Sequence, residues 1–121
     1  MAGPSGASPQ RFCGLIPAYN VARTIPQVVQ QTRQHLPVVF VVDDGSQDET
    51  AHLARESGAT VLSIPKSQGK GWALRSGFKD LLQEPWEGII TLDGDLQHDP
   101  AEIPKLIEEY DKTKPDIVIG S

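Results

Sequence analysis

Asp93 and Asp95 stand two residues apart, directly after the uncharged run Gly88-Ile89-Ile90-Thr91-Leu92. At strand spacing both carboxylates turn the same way, and Gly94 between them leaves the backbone open to a ligand. Two carboxylates in an apolar setting repel each other unless a cation or a proton intervenes. A hard divalent ion resolves that conflict. It takes oxygen ligands and keeps coordination positions for water and for diphosphate oxygens. Gln97 adds a neutral oxygen close by. Asp93, Asp95 and Gln97 are therefore the candidate metal ligands, and the two aspartates the candidate catalytic acids. Asp99, just before Pro100, reads instead as a helix cap, and His98 as either an ordinary loop residue or a ligand contact.

A second acidic segment, Asp43-Asp44-Gly45-Ser46, follows another apolar run. Gly45 suits the turn, and Ser46 with Glu49 has the pattern of a capping box. Neither needs a ligand, but two adjacent aspartates exceed what a turn requires. One carboxylate accepting a hydrogen bond from a nucleobase N–H accounts for the excess. The opposite charge comes from Pro65-Lys66-Ser67-Gln68-Gly69-Lys70-Gly71. Glycines flank Lys70, and the start of the next helix favours an anion. The spacing is not that of a P-loop, because Gly71 follows the lysine. Lys70 is the candidate ligand contact. Arg75 and Lys79 read as a solvated helix face, and Trp72, Leu74 and Phe78 as core or packing residues.

These residues need elements to position them. Apolar runs predict strands over Phe12–Ile16, Val38–Val42, Thr60–Ser63, Gly88–Leu92 and Asp116–Ile119. Val38-Val39-Phe40-Val41-Val42 has no polar alternation, which fits a strand covered on both faces. Amphipathic stretches predict helices near Ile25–His35, Gln47–Glu56, Gly71–Leu82 and Ala101–Lys112. Such alternation implies an α/β fold, a Rossmann-like, mainly parallel sheet flanked by helices. In open parallel sheets, ligands bind beyond the carboxyl ends of the strands. Both acidic pairs and the Lys70 loop follow strands, and so does Pro17-Ala18-Tyr19-Asn20.

At 121 residues the chain has one domain's worth of sequence. Residues 1–10, rich in Gly, Ala, Ser and Pro, read as a disordered lead-in, and residues 11–121 as the folded domain. A net charge of −5 disfavours broad contact with nucleic acid but not one anion held locally. The single cysteine, Cys13, has apolar neighbours, fits a core position, and suits a reducing compartment. No segment approaches the roughly 20 apolar residues of a membrane-spanning helix. A cytoplasmic location follows as the expectation, with association at the cytoplasmic face of a membrane as a variant of it.

Taken in order, the segments resemble family 2 glycosyltransferases of the GT-A fold. Within these they look most like the dolichol-phosphate or polyprenyl-phosphate mannosyltransferases. The matching pieces are Ile16 to Asn20, Val41 to Asp48, Gly69 to Arg75 and, most tellingly, Leu92 to Pro100. The resemblance implies that Pro17, Ala18, Tyr19 and Asn20 contact the nucleoside together with Asp43 or Asp44, Asp44 being preferred. It implies that Asp93 and Asp95 form the family's DxD motif, holding Mg2+ or Mn2+ on the donor diphosphate with help from Gln97. The Leu-Gln-His-Asp-Pro continuation points to a lipid-phosphate acceptor. The family often carries a glutamate where this chain has Val21, which loosens the choice of sugar donor. Relatives usually continue past Gly120-Ser121 into an acceptor-binding region, so the chain resembles the N-terminal half of such an enzyme.

The function so implied is metal-dependent transfer of a hexose, mannose from GDP-mannose above all and otherwise a UDP-sugar, to a polyprenyl or dolichyl phosphate. A second reading is a nucleotide-binding module without turnover. A third class, the phosphoryl-transfer domains, is disfavoured. Receiver and haloacid dehalogenase-like domains place their acids after the first strand, whereas here the pairs follow the second and fourth.

Overall fold

The computed structural model describes residues 12–94 and 100–113. The predicted lead-in, the predicted strand over Asp116–Ile119 and the segment containing Asp95, Gln97, His98 and Asp99 lie outside the described residues. Strand β1 (Phe12–Ala18) is followed by α1 (Ile25–Arg33), β2 (Val39–Asp44), α2 (Thr50–Glu56), β3 (Thr60–Ile64), α3 (Lys70–Leu81) and β4 (Gly88–Thr91). A short 3-10 turn at Pro100–Glu102 then leads into α4 (Ile103–Thr113).

The strands form a four-stranded sheet in the order β3-β2-β1-β4, and every pairing is parallel. Central β1 and β2 are buried along nearly their whole length, while edge strand β3 is partly exposed. Alternation sends Ile16, Val39, Val41 and Ile90 to one face, where they form a core with Ile25, Val28 and Val29 of α1, Ala54 of α2 and Ile103 of α4. Cys13, Leu15, Phe40, Val42 and Ile89 turn to the other face, against Ala73 and Leu81 of α3. Gly77 lets α3 settle close: a Cβ there would lie 3.1 Å from Val42 Cγ2, and closer still to Leu15. Sheet strands fed by alternating helices thus make the expected α/β sandwich.

Several boundaries differ from the sequence reading for identifiable reasons. Strand β2 runs through both aspartates, and β1 through Pro17 and Ala18, because each pairs in register: Pro17 with Val42, Ala18 with Asp43, Asp44 with Ile64. Helix α1 stops at Arg33 rather than His35. The amides of His35 and Leu36 both turn back to the Thr32 carbonyl, ahead of Pro37. Helix α2 starts at Thr50, not Gln47, with Glu49 at its cap position and no side-chain capping bond. The predicted capping box is therefore not formed. Trp72 is 41% exposed and is not a core residue. The buried stripe of α3 runs Ala73, Gly77 and Leu81 at i, i+4 spacing, one position away from it.

Candidate functional site

The sheet order makes β1 a point of divergence, since the chain proceeds to β2 on one side and reaches β4 on the other. In parallel sheets such a switch point opens a crevice at the carboxyl ends of the strands. A cleft of about 250 Å³ lies there. Pro17, Ala18 and Tyr19 line it from the end of β1, and Asp44 from the end of β2. Lys70 and Ala73 line it from α3, and Asp93 and Gly94 from beyond β4. Three strand ends and the first turn of α3 therefore meet in one concavity, with two carboxylates and one ammonium group among its walls.

The loops forming this rim are tied together by side chains bonding to backbone. Asn20 N donates to Ser46 Oγ at 2.8 Å, and Asn20 Oδ1 accepts from Gln47 N at 2.8 Å. This binds the first loop to the second. Asn20 adopts φ of 52°, a left-handed conformation that asparagine tolerates better than most residues. Val21 N donates to Thr50 Oγ1 at 2.9 Å, and Ala22 N to Asp48 Oδ2 at 3.1 Å. Asp48 Oδ1 also accepts from Thr50 N at 3.0 Å and from the Thr50 hydroxyl. Slight desolvation pushes the carboxyl of exposed Asp48 upward, but the bonds from Thr50 and Ala22 outweigh it and hold the group below its ordinary value. The Thr24 hydroxyl donates to the Gly94 carbonyl, joining the first loop to the fourth.

Asp44 ties the second loop to the third. Its Oδ1 accepts from Gln68 N at 2.7 Å, and its Oδ2 from Gly69 N and the Ser67 hydroxyl, each at 2.9 Å. A carboxylate offers about four acceptor directions, so three are taken by the protein. Gly45 has φ of +70°, and a Cβ there would come 2.8 Å from the Lys66 carbonyl carbon and closer still to Ser67 N. Only glycine fits that contact between the loops.

Lys70, the first residue of α3, reaches across the cleft to Asp93. Its Nζ lies 2.8 Å from Asp93 Oδ1. The lysine side chain is largely in solvent, whereas Asp93 is 17% exposed. The Asp93 carboxylate offers hard oxygens of the kind a divalent ion takes, and one of them carries the Lys70 ammonium group. Gly94 lines the cleft with its backbone, and its missing Cβ faces Val21 Cγ2 at 3.1 Å and the core beyond.

Of the sequence-predicted site residues, the cleft brings together Pro17, Ala18, Tyr19, Asp44, Lys70 and Asp93. Asn20 and Asp43 do not line it. Asn20 is used in joining loops, and Asp43 lies on the opposite face of β2, where its Oδ1 accepts from Ser46 N at 3.1 Å. Asp95 and Gln97 lie outside the described residues. The sequence reading missed Val21 and Ala73 as lining residues, and Thr24, Ser67 and Thr50 as fasteners. A short hydroxyl side chain bonding to a distant backbone leaves no periodic signal.

The fold defines an α/β protein of the GT-A type, with a crevice at the switch point of a parallel sheet. The chain belongs to glycosyl transferase family 2, whose family model matches residues 14–121. It is similar to protein RfbJ of Shigella flexneri, with 33% identity over 108 residues, covering 88% of this chain and 81% of that one. It is also similar to the undecaprenyl-phosphate 4-deoxy-4-formamido-L-arabinose transferase of Pseudomonas fluorescens. There the identity is 34% over 110 residues, covering 81% of this chain and 32% of that protein. Among solved structures, glucosyl-3-phosphoglycerate synthase from Mycobacterium tuberculosis, in complex with Mn2+, uridine diphosphate and glucosyl-3-phosphoglycerate, matches with a TM-score of 0.67 and 27% identity. That match covers 82% of this chain and 39% of that one. The chain thus spans about a third of the Pseudomonas transferase and two fifths of the synthase. No helix among the described residues is long and apolar enough to cross a membrane.

Proposed function

We propose that this chain binds the nucleoside diphosphate sugar in a hexosyltransferase that acts on a polyprenyl or dolichyl phosphate. The observation that supports it most directly is the meeting of Asp44, Lys70 and Asp93 in one cleft at the switch point. In this reading Pro17, Ala18 and Tyr19 form the wall against the nucleoside, with Asn20 and Asp43 holding that wall in place from behind. The remaining acceptor direction of Asp44 faces a nucleobase N–H, and Lys70 meets the diphosphate. Asp93, with Asp95 and Gln97 from the adjoining segment, would hold Mg2+ or Mn2+. Bound there, the ion supplies Lewis-acid stabilisation of the charge that develops on the departing nucleoside diphosphate. The Mn2+ complex of the mycobacterial synthase is in keeping with such an ion.

The acceptor class is supported by the undecaprenyl-phosphate transferase among the relatives. A phosphate monoester is already largely anionic near neutral pH, its second pKa being about 6. Transfer to it needs no strong protein base, and no side chain among the cleft-lining residues is set up as one. GDP-mannose is the first donor to test, on the likeness to dolichol-phosphate mannosyltransferases. A UDP-hexose is the second, on the uridine diphosphate complex of the synthase.

Isothermal titration with GDP and with UDP, each with and without Mn2+, tests the site. Metal-dependent binding of one of them is expected, and its loss in Asp95→Ala with the fold intact. Unchanged affinity in that variant counts against the assignment of Asp95. A parallel assay for sugar transfer to polyprenyl phosphate separates an enzyme from a module that binds without turnover.

A further inference from the structure

We infer that α3, with the edge strand β3 beside it, forms a docking face for an anionic membrane surface. Trp72 is its anchor, and Arg75 and Lys79 supply its charge. The face stands outside the nucleotide cleft and depends on neither the donor nor the metal.

Charge is unevenly placed along this chain. Residues 57–79 carry four cations, Lys66, Lys70, Arg75 and Lys79, and no acid, although the net charge is −5. The remaining residues hold seven cations and sixteen acids. All four cations of the segment are exposed. Lys70 is engaged by Asp93, but Arg75 and Lys79 form no ion pair among the described residues.

Helical spacing gathers these two cations with exposed apolar side chains. Trp72, Arg75, Lys79 and Leu82 follow at intervals of three, four and three, opposite the buried stripe of Ala73, Gly77 and Leu81. Trp72 and Leu82 are two of the three large exposed hydrophobic residues among those described. Beside them runs an open groove of about 410 Å³, with Leu62 and Trp72 as apolar walls and Arg75 and Lys79 as charged ones. Asp80 is the acid among its described lining residues.

This combination selects a partner by chemistry. A second copy would bring the same cations face to face, and like charges repel. An acidic polypeptide would answer the cations alone. An anionic bilayer answers both, since indole rings settle at headgroup level while Lys and Arg reach the phosphates over their apolar stems. Screening at physiological salt limits the attraction to charges within about 8 Å of the surface, so acids on other faces weigh little. Asp80 and Glu84 follow Lys79 and weaken the attraction only at that end of α3. Trp72 is two residues from Lys70, so docking brings the cleft towards headgroup level. On the function proposed above, that is where the acceptor phosphate lies.

The test sediments the protein with vesicles of phosphatidylcholine, with and without phosphatidylglycerol, and follows tryptophan emission. Wild type is expected to bind the anionic vesicles with a blue shift, and the neutral ones far more weakly. Trp72→Phe should abolish the shift. Each cation at such a surface strengthens binding about fivefold, so Arg75→Gln with Lys79→Gln should weaken it about 25-fold. Arg23→Gln with Lys105→Gln removes two exposed cations outside α3 and should weaken it by less than about twofold. Equal losses in the two pairs would overturn the docking face, as would wild-type binding that ignores lipid charge. Tighter binding of poly-L-glutamate than of anionic vesicles, with the same dependence on Arg75 and Lys79, would overturn it in favour of an acidic polypeptide. Self-association lost in Trp72→Phe, without vesicle binding, would do so in favour of a second copy. Nucleotide affinity without vesicles should be unchanged in the Arg75 and Lys79 pair, so failure of the face leaves the cleft reading intact.

Discussion

Asp44 and Gly69 lie 25 residues apart in the chain, yet the Asp44 carboxylate accepts the Gly69 amide at 2.9 Å. The last residue of β2 thereby fixes the residue from which α3 begins. Since Lys70 is the next residue, the position of the one lysine in the cleft is set by an aspartate on a different strand. The same carboxylate also takes the Gln68 amide and the Ser67 hydroxyl. Asp44→Ala should therefore leave several part-buried donors without an acceptor and lower the unfolding free energy by about 2 kcal/mol. Asp44→Asn should recover part of this, because a carboxamide oxygen accepts but its nitrogen meets another donor. Urea unfolding of the two variants checks the order. Equal stability of wild type and Asp44→Ala would remove Asp44 from its role as fastener.

Gly45 marks the closest approach of the second and third loops. Its φ of +70° disfavours any side chain, and the obstruction is backbone of Lys66 and Ser67, which cannot rotate aside. Gly45→Ala should cost more than about 1 kcal/mol, the usual scale when alanine replaces glycine at positive φ. It should also weaken nucleotide binding, since the Lys66–Ser67 segment must shift and Lys70 shifts with it. Gly69→Ala is the informative control. It has a positive φ of 99° but no obstruction within 4 Å, so it should carry the backbone cost alone. Equal effects of the two substitutions on nucleotide affinity would show that loop contact at Gly45 does not matter to the site.

Much of this was legible in the sequence, for physical reasons. The apolar runs around Ile16, Val41 and Ile90 announce strands buried on both faces, and the strand rule then gathers Tyr19, Asp44, Lys70 and Asp93 at one edge. The fastening of the rim was not legible. Ser46 beside Glu49 looks like a capping box, yet its hydroxyl accepts the Asn20 amide from 26 residues away. Local spacing cannot distinguish a capping serine from one recruited by a distant loop. Nor does it separate Asp43 from Asp44. Their division of labour follows from β2 extending through both, which sends one side chain to each face of the sheet. Trp72 was misjudged by one helical position, which is enough to turn a side chain from the sheet to solvent.

Asp48 gives the rim a signature in acid. Its carboxyl is held below the ordinary value of 3.8 by bonds from Thr50 and Ala22, which overcome the upward push of slight desolvation. A depressed folded-state value contributes stability that is present above the unfolded value and is lost as pH falls through the folded one. Wild type and Asp48→Ala should therefore differ in urea midpoint at pH 6, and the difference should narrow below about pH 4. A gap that stays constant from pH 6 to pH 3 would mean that the ionised form is not what the loops recognise.

Cys13 supplies the opposite case, at the far end of the pH scale. It sits fully buried on β1 among Leu15, Phe40 and Ile89. Burial above all, with a smaller push from the charge of Glu84, moves its thiol from 9.0 up to about 12. The thiolate is the reactive form, so the native protein should resist alkylation, and labelling should follow global unfolding instead. A raised folded-state value also carries a stability term, present in full below pH 9 and lost between pH 9 and pH 12. The unfolded chain releases that proton early while the core still retains it. The urea midpoint of wild type should then fall more steeply than that of Cys13→Ala between pH 8 and about pH 10.5. Rapid labelling of the folded protein at pH 8 would contradict both expectations, because it would require a thiol open to solvent beside the central strand.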